Sequence, residues 1–222
     1  MNMFDYEILK SGSDGNCLIL NKKIAIDMGI SFKQIEPYLK DLKIILLTHI
    51  HSDHFQKNTI RRIAFEKPTI KFVCRDWIVK DLLDLEVSKK NIYVLKNQKT
   101  YDLGLFKVTP IDTYHDVENT SYKLDLKPIT MYYATDTSKL DYLECLKGLD
   151  YYFVENNYSR KEIEERIKEK EEKGEFIYEY RVLSSHMSEE DINSFLIEMM
   201  TDNSKFVYCH QHRKKEVEEW EV

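Results

Sequence analysis

Four cysteines in 222 residues (Cys17, Cys74, Cys145 and Cys209) are widely scattered and form no CxxC pair. That excludes a disulfide framework and reads as buried thiols in a reducing compartment. Nowhere does the chain approach the roughly 18 consecutive apolar residues of a membrane span, so no membrane partner is expected. The opening Met1-Asn2-Met3-Phe4-Asp5-Tyr6-Glu7 has neither a basic leader nor an apolar stretch, unlike a signal peptide. A cytoplasmic setting is the expectation. Positive charge is also short: 33 Lys and Arg against 39 Asp and Glu leave a formal net charge of −6. No global basic field recruits a polyanion, although a local patch can still hold one. Internal repeats are lacking too, and one domain is expected over residues 1–222.

What is present is concentrated. The apolar fraction of 42% suffices for a substantial core. The apolar run Ile44-Ile45-Leu46-Leu47 leads directly into Thr48-His49-Ile50-His51-Ser52-Asp53-His54. Three of the seven histidines and a carboxylate lie within six residues at the exit of a predicted buried strand. Imidazole and carboxylate are ligands for divalent cations, and such a run makes a poor core. His49 and His51 project to one side of an extended or turning segment and can grip one ion. Asp53 and His54, past the turn, can face a second. A merely exposed His-rich loop is the bland alternative.

Predicted strands and helices alternate along the chain. Phe4 to Leu9 and Cys17 to Leu20 read as strands joined by the turn-rich Ser11-Gly12-Ser13-Asp14-Gly15-Asn16. Ile24 to Asp27 and Ile44 to Leu47 follow as strands, with a short helix at Ile35 to Leu39 between them. Asn58 to Phe65 and Asp76 to Leu85 have helical apolar spacing. Further strand-like runs cover Ile70 to Cys74, Ile92 to Leu95 and Phe106 to Ile111. Two β-rich stretches among helices suggest two sheets sandwiched between helices. The remaining acid and imidazole groups recur at predicted strand ends: His115, Asp136, Glu155, His186 after Arg181-Val182-Leu183, and His210. Functional groups on loops over a rigid sheet are a common way to assemble a site. Only His212 has no evident role.

On these residues the chain resembles the metallo-β-lactamase superfamily over nearly its whole length. The family's HxHxDH motif stands as His49, His51, Asp53 and His54. Its later single ligands match His115, Asp136 and His210, and Asp27 matches an early aspartate that braces the metal loop without binding metal. Ser11-Gly12-Ser13-Asp14-Gly15-Asn16-Cys17 and Ser185-His186-Met187-Ser188 are similar to the YycJ/WalJ-type branch, which lies near ribonuclease Z and contains DNA exonucleases. Small phage-encoded relatives include enzymes that cleave cyclic nucleotides. The resemblance implies a four-layer αβ/βα sandwich. It implies two divalent ions, one on His49, His51 and His115 and the other on Asp53, His54 and His210, with Asp136 bridging. Zinc is favoured by the imidazoles, while manganese or iron would tolerate the same ligands. Such a pair lowers the pKa of a shared water and polarises the substrate oxygen.

Glu155 and His186 single out a reaction. A phosphodiester leaves as an alkoxide, which benefits from a proton donor, and an imidazole oriented by a carboxylate can supply one. Asp53, His186 and Glu155 are therefore the candidate catalytic residues, with a helix cap at Ser188 and Asp191 as the compatible structural reading. The expected partner is nucleic acid, with a cyclic nucleotide as alternative and a thioester, as in glyoxalase II, further off. A homodimer stays open, and the setting would be a bacterial or phage-infected cell. Tyr114 and Tyr158 could stack on a base. Ser11, Ser13 and Asn16 could line a turn that offers N–H groups to phosphate, although a plain glycine-rich turn reads equally well. Lys57, Arg61 and Arg62, and Arg213, Lys214 and Lys215, could form a phosphate path. The charged run Arg160 to Lys173 reads as a solvated helix with i,i+4 pairs, ended by Gly174.

Overall fold

The computed structural model describes residues 4–210. His212, Arg213, Lys214 and Lys215 lie outside the described residues. Twelve strands form two six-stranded sheets among these residues. The first sheet runs in chain order: β1 (Tyr6–Lys10), β2 (Cys17–Leu20), β3 (Ile24–Ile26), β4 (Ile44–Leu46), β5 (Lys71–Cys74) and β6 (Ile92–Val94). Strands β1 to β3 pair antiparallel and β3 to β6 parallel. The second holds β7 (Tyr101–Asp102), β8 (Lys107–Thr113), β9 (Asn119–Asp125), β10 (Thr130–Ala134), β11 (Tyr151–Glu155) and β12 (Lys205–Cys209). Here β7 to β10 are antiparallel, while β10, β11 and β12 are parallel.

Successive side chains on a strand point to opposite faces, and that period sorts the core into layers. Leu18, Leu20, Ile24, Ile26, Ile44 and Leu46 face inward and meet Val108, Tyr122, Leu124, Met131, Tyr133 and Phe153 of the second sheet. Their neighbours Cys17, Ile19, Ala25, Ile45 and Leu47 face outward onto helices α1 (Phe32–Ile35), α2 (Lys57–Glu66) and α3 (Val79–Asp84). On the far side, Tyr132, Ala134, Tyr152 and Val154 pack on Ile192, Phe195, Leu196 and Met199. Those four belong to the last helix, α6 (Glu189–Met199), which follows α4 (Arg160–Lys173) and α5 (Glu179–Ser185). Sheets buried on both faces explain the unbroken apolar runs of the sequence. The layers are those of the αβ/βα sandwich.

Several local expectations shift. The predicted strand around Arg181-Val182-Leu183 is a correction: these residues lie in α5. Apolar and β-branched residues suit a strand locally, but the segment is a short helix with Glu179 buried against Lys170 and the Ser185 carbonyl accepting from His115. Strand β9 was not expected, because Asn119, Thr120 and Ser121 open it with polar residues that are nevertheless buried. Helix α4 buries only Ile163, carries Glu162–Arg166 and Glu169–Lys173 pairs, and ends at Gly174 in the left-handed region. Ser188 caps α6 by accepting the Asp191 N–H. Among the described residues no helix is long and apolar enough to cross a membrane.

Candidate metal centre

The C-terminal ends of five strands from the two sheets lead into one rim. Strand β4 delivers Thr48 to His54, β8 leads to His115, β10 to Asp136, β11 ends on Glu155 and β12 leads to His210. Asp27, Asp136 and His210 follow their strands with φ of 60°, 56° and 48°. Left-handed backbone is uncommon outside glycine, and such residues gather at functional sites.

Two groups of donor atoms result. His49, His51 and His115 form one, and Asp53, His54, Asp136 and His210 the other, with the ligand atoms of each group within 4.8 Å of one another. All seven sequence candidates for metal ligation are thus brought together. The two Asp136 oxygens face different groups: Oδ1 lies 4.0 Å from His115 Nε2, while Oδ2 lies 2.8 Å from His54 Nε2 and 3.3 Å from His210 Nδ1.

Hydrogen bonds on the opposite ring nitrogens settle which atoms face inward. Asp27, fully buried, accepts the Thr48 N–H (2.9 Å), the Thr48 hydroxyl (2.8 Å) and the His54 Nδ1–H (2.7 Å). With its hydroxyl proton spent on Asp27, Thr48 Oγ1 accepts from His49 Nδ1 at 3.0 Å. His115 Nδ1 donates to the Ser185 carbonyl at 2.9 Å. These bonds direct His49 Nε2, His54 Nε2 and His115 Nε2 into the site, where each offers a lone pair to a cation once any proton on it is displaced. Asp27 therefore braces the loop from behind, as expected.

The residues fit a bound cation. His49 Nε2 and His210 Nδ1 are buried without a hydrogen-bond partner, and Asp136 Oδ2, though close to two imidazoles, is aligned with no donor. Buried polar atoms are ordinarily satisfied, so three such atoms converging on one place match a ligand shell. Burial, reinforced by the neighbouring His54, pushes His49 far below the ordinary imidazole value, and burial lowers His115 as well. Both are neutral and ready to ligate. Burial opposes charge on Asp136, yet the facing His210 and His54 hold its carboxyl well below the usual range. Three imidazoles on one side, and two carboxylates with two imidazoles on the other, suit zinc, manganese or iron.

Glu155 and His186 meet beside this centre. His186 Nδ1 donates to Glu155 Oε2 at 3.0 Å and lies 3.8 Å from Asp136 Oδ1. Glu155 is fully buried and also accepts the N–H groups of Asp136 (3.1 Å), Thr137 (3.0 Å) and Met187 (3.0 Å). It thus fixes the Asp136 turn as well as the His186 ring. Burial disfavours charge on His186, but the Glu155 bond and charge outweigh it and raise the imidazole pKa.

The proposed substrate-binding residues fare differently. Asn16 is buried, and its side chain serves the metal loop: Oδ1 accepts Gly12 N–H, while Nδ2 lies 3.3 Å from Asp53 Oδ2 and 2.8 Å from His54 Nε2. The Asn16 N–H goes to the Asp53 carbonyl, and that of Gly15 to Gly12. Those two amides are therefore spent within the turn and on the metal loop, in keeping with the plain glycine-rich turn that the sequence also allowed. A Cβ on Gly29 would sit 1.6 Å from the Asp53 carbonyl oxygen, so glycine is required where this turn and the metal loop pack. Ser11 Oγ accepts His210 N–H at 2.6 Å, and so holds a ligand candidate in place; Ser13 is exposed. Tyr114 is exposed near the rim, with Lys139 Nζ 3.9 Å from its ring centre, whereas Tyr158 is half-buried in a bridge to Ser188. Arg62 is bonded to Glu66 and stacked on Phe32.

Two contributors escaped the sequence reading. Asn119 Nδ2 donates to the carbonyls of Thr135 (3.0 Å) and Asp136 (2.6 Å), anchoring the Asp136 turn. Asp116 Oδ1 lies 3.1 Å from His115 Nε2 and 3.4 Å from His51 Nε2, and Arg181 grips its other oxygen. The adjacency of Asp116 to His115 was the one available signal.

Comparison with known proteins bears on the family and the fold. Residues 22–210 match the family described as Beta-lactamase superfamily domain. The exodeoxyribonuclease YycJ of Bacillus anthracis is 26% identical, over 91% of this chain and 80% of its own length. The metallo-β-lactamase fold protein YhfI of Bacillus subtilis superposes with a TM-score of 0.73 at 15% identity, over 94% of this chain and 87% of its own. Human tRNase Z, short form, gives 0.67 at 12% identity, over 94% and 93%. The chain belongs to the β-lactamase superfamily and is a metal-dependent hydrolase of the metallo-β-lactamase fold.

Proposed function

We propose that this hydrolase cleaves phosphodiester bonds of nucleic acid, with His49, His51 and His115 holding one ion, Asp53, His54 and His210 another, and Asp136 between them. The observation that carries the reaction class is the Glu155–His186 pair, 3.0 Å apart beside Asp136. Divalent ions so held supply an activated water and neutralise charge on the phosphoryl oxygens. The chain's own part is proton supply. Glu155 takes the Nδ1–H of His186, which leaves Nε2–H as the proton to be given. As the P–O bond breaks, that proton passes to the departing alkoxide, and the imidazole regains one from the attacking water. A thiolate leaves without a donor, so a thioester gives this pair no task. The name of the YycJ relative, an exodeoxyribonuclease, supports a DNA substrate.

A cyclic nucleotide is the second reading, and the arginines favour it. Five of the six described arginines are committed to carboxylates: Arg62 to Glu66, Arg75 to Asp112, Arg160 to Asp191, Arg166 to Glu162 and Arg181 to Asp116. With a net charge of −6, a long phosphate backbone would have to be held mainly by lysines, without the help of a global basic field. A screen of metal-reconstituted protein on duplex DNA, single strands, RNA, a cyclic mononucleotide and a thioester tests both. Thioester hydrolysis without phosphodiester cleavage would overturn the reaction class.

A further inference from the structure

Each ligand imidazole of the first group, His49, His51 and His115, needs its outward nitrogen held if the inward one is to present a lone pair. Two of the three have ordinary partners: His49 Nδ1 on Thr48 Oγ1 and His115 Nδ1 on the Ser185 carbonyl. His51 does not. Its Nδ1 lies 3.2 Å from His115 Nε2, and its Nε2 lies 3.4 Å from Asp116 Oδ1. Since His115 already donates through Nδ1, its neutral ring has no proton at Nε2. The 3.2 Å approach therefore sets two nitrogens against each other, a geometry that suits a cation between them only if His51 carries its proton on Nε2. A carboxylate beside Nε2 selects that tautomer.

Asp116 reaches two rings through Oδ1, 3.1 Å from His115 Nε2 and 3.4 Å from His51 Nε2, and of these two nitrogens only His51 Nε2 has a proton to give it. It falls outside both groups of mutually close ligand atoms. Its Oδ2 is forked by Arg181 Nε at 3.1 Å and by Nη2, which turns Oδ1 toward the histidines. Arg181 sits on α5, the helix that also supplies the Ser185 carbonyl to His115 and runs directly into His186. One short helix thus reaches the first ion group twice, through Ser185 to His115 and through Arg181 and Asp116 toward His51.

We propose that Asp116, latched by Arg181, is the positioning carboxylate that orients His51 for metal binding. The proposal rests on reading His49, His51 and His115 as an ion subsite. Zinc titrated into the metal-free protein against a chelating dye tests it, because the readout is affinity and not turnover. In Asp116→Ala one binding step weakens by about 10–100-fold, the usual cost of losing such a partner, while the other step keeps its wild-type affinity. Asp116→Asn, whose amide oxygen can still accept, recovers part of the loss, and Arg181→Ala weakens the same step to a smaller extent. In a His51→Ala background, adding Asp116→Ala changes nothing further, which a general loosening of the fold would not reproduce. Equal weakening of both steps, additive loss in the double variant, or wild-type affinity in Asp116→Ala each overturns the assignment. A wild-type protein that takes up no zinc removes the subsite itself, and that result is distinct from tight wild-type binding with indifferent Asp116 variants.

Discussion

Asp27 Oδ2 accepts the Nδ1–H of His54 at 2.7 Å, with both side chains fully buried. The carboxylate sits at the end of β3, the imidazole at the far end of the metal loop, and the Thr48 bonds tie the same carboxylate to the loop's beginning. One side chain from a neighbouring strand therefore spans the HxHxDH segment from behind. Asp27→Ala should destabilise the metal-free protein by about 3–5 kcal/mol, the usual cost of removing one partner of a buried charged pair. Asp27→Asn should be milder in stability but should still weaken metal binding, since an amide can donate where His54 needs an acceptor. Denaturant unfolding of the metal-free variants checks the first statement, and a zinc titration the second.

Metal content follows from the two donor groups. Reconstituted wild-type protein should approach about two ions per chain, the stoichiometry of a two-metal site. His51→Ala and His210→Ala should each lose one, and Asp136→Ala should compromise both, because its oxygens face both groups. Elemental analysis after gel filtration decides, and a chelator should lower the melting temperature most in wild type, less in the two single-ion variants and least in Asp136→Ala. A wild-type protein that retains no ion at saturating zinc or manganese would sink the reading.

His186→Ala should keep both metals and slow phosphodiester turnover by about 10²–10⁴-fold, the size of a general-acid contribution. The defect should shrink on a nitrophenyl phosphodiester, whose leaving group needs no proton. Glu155→Gln should do more than detune His186, because Glu155 also accepts the Asp136 and Thr137 N–H groups. A combined loss of metal affinity and turnover in Glu155→Gln, against turnover alone in His186→Ala, is the expected contrast. Loss of metal in His186→Ala would mean that it is a ligand.

The HxHxDH segment was legible because its chemistry is local, four ligands in six residues. The sandwich was legible because strands buried on both faces spell unbroken apolar runs such as Ile44 to Leu47. What stayed hidden depends on distant partners. Asn119 and Ser121 look like loop residues until their side chains are seen bonded to the Thr135 and Asp136 carbonyls and to the Ile111 carbonyl. Asp116 is one acid among 39, and its importance arises from Arg181, 65 positions later. The Ser11 to Asn16 turn stayed between two readings because a free glycine-rich turn and one packed against Asp53 have the same sequence.

Protons and metal compete at His54. Burial disfavours its charged form, but Asp136 and Asp27 outweigh burial and raise its pKa well above the ordinary value. For a raised imidazole pKa, the stabilisation of the metal-free fold is complete below the unfolded pKa of about 6.5 and fades as pH rises through the folded value. Metal must displace that proton, so the gain in melting temperature on adding zinc should grow as pH increases from about 6. A gain that is flat or falls over that range would show that His54 does not hold a proton in the metal-free chain.

Salt separates the two substrate readings. Each phosphate neutralised on duplex DNA contributes a slope of about −0.9 to log affinity against log salt. With five of six described arginines already paired, the slope for DNA should be shallow, about −2 to −3, unlike the steep response of a protein gripping many phosphates. A cyclic mononucleotide, which carries one phosphate held at the metals, should be hydrolysed almost independently of salt. Measuring kcat/KM for both substrates at low and high salt yields the order. DNA cleavage with a shallow slope supports an exonuclease acting on short contacts, whereas salt-insensitive cyclic-nucleotide hydrolysis with negligible DNA cleavage reverses the preference. A slope steeper than about −6 would mean that many lysines grip the backbone, and would settle the order in favour of the polymer.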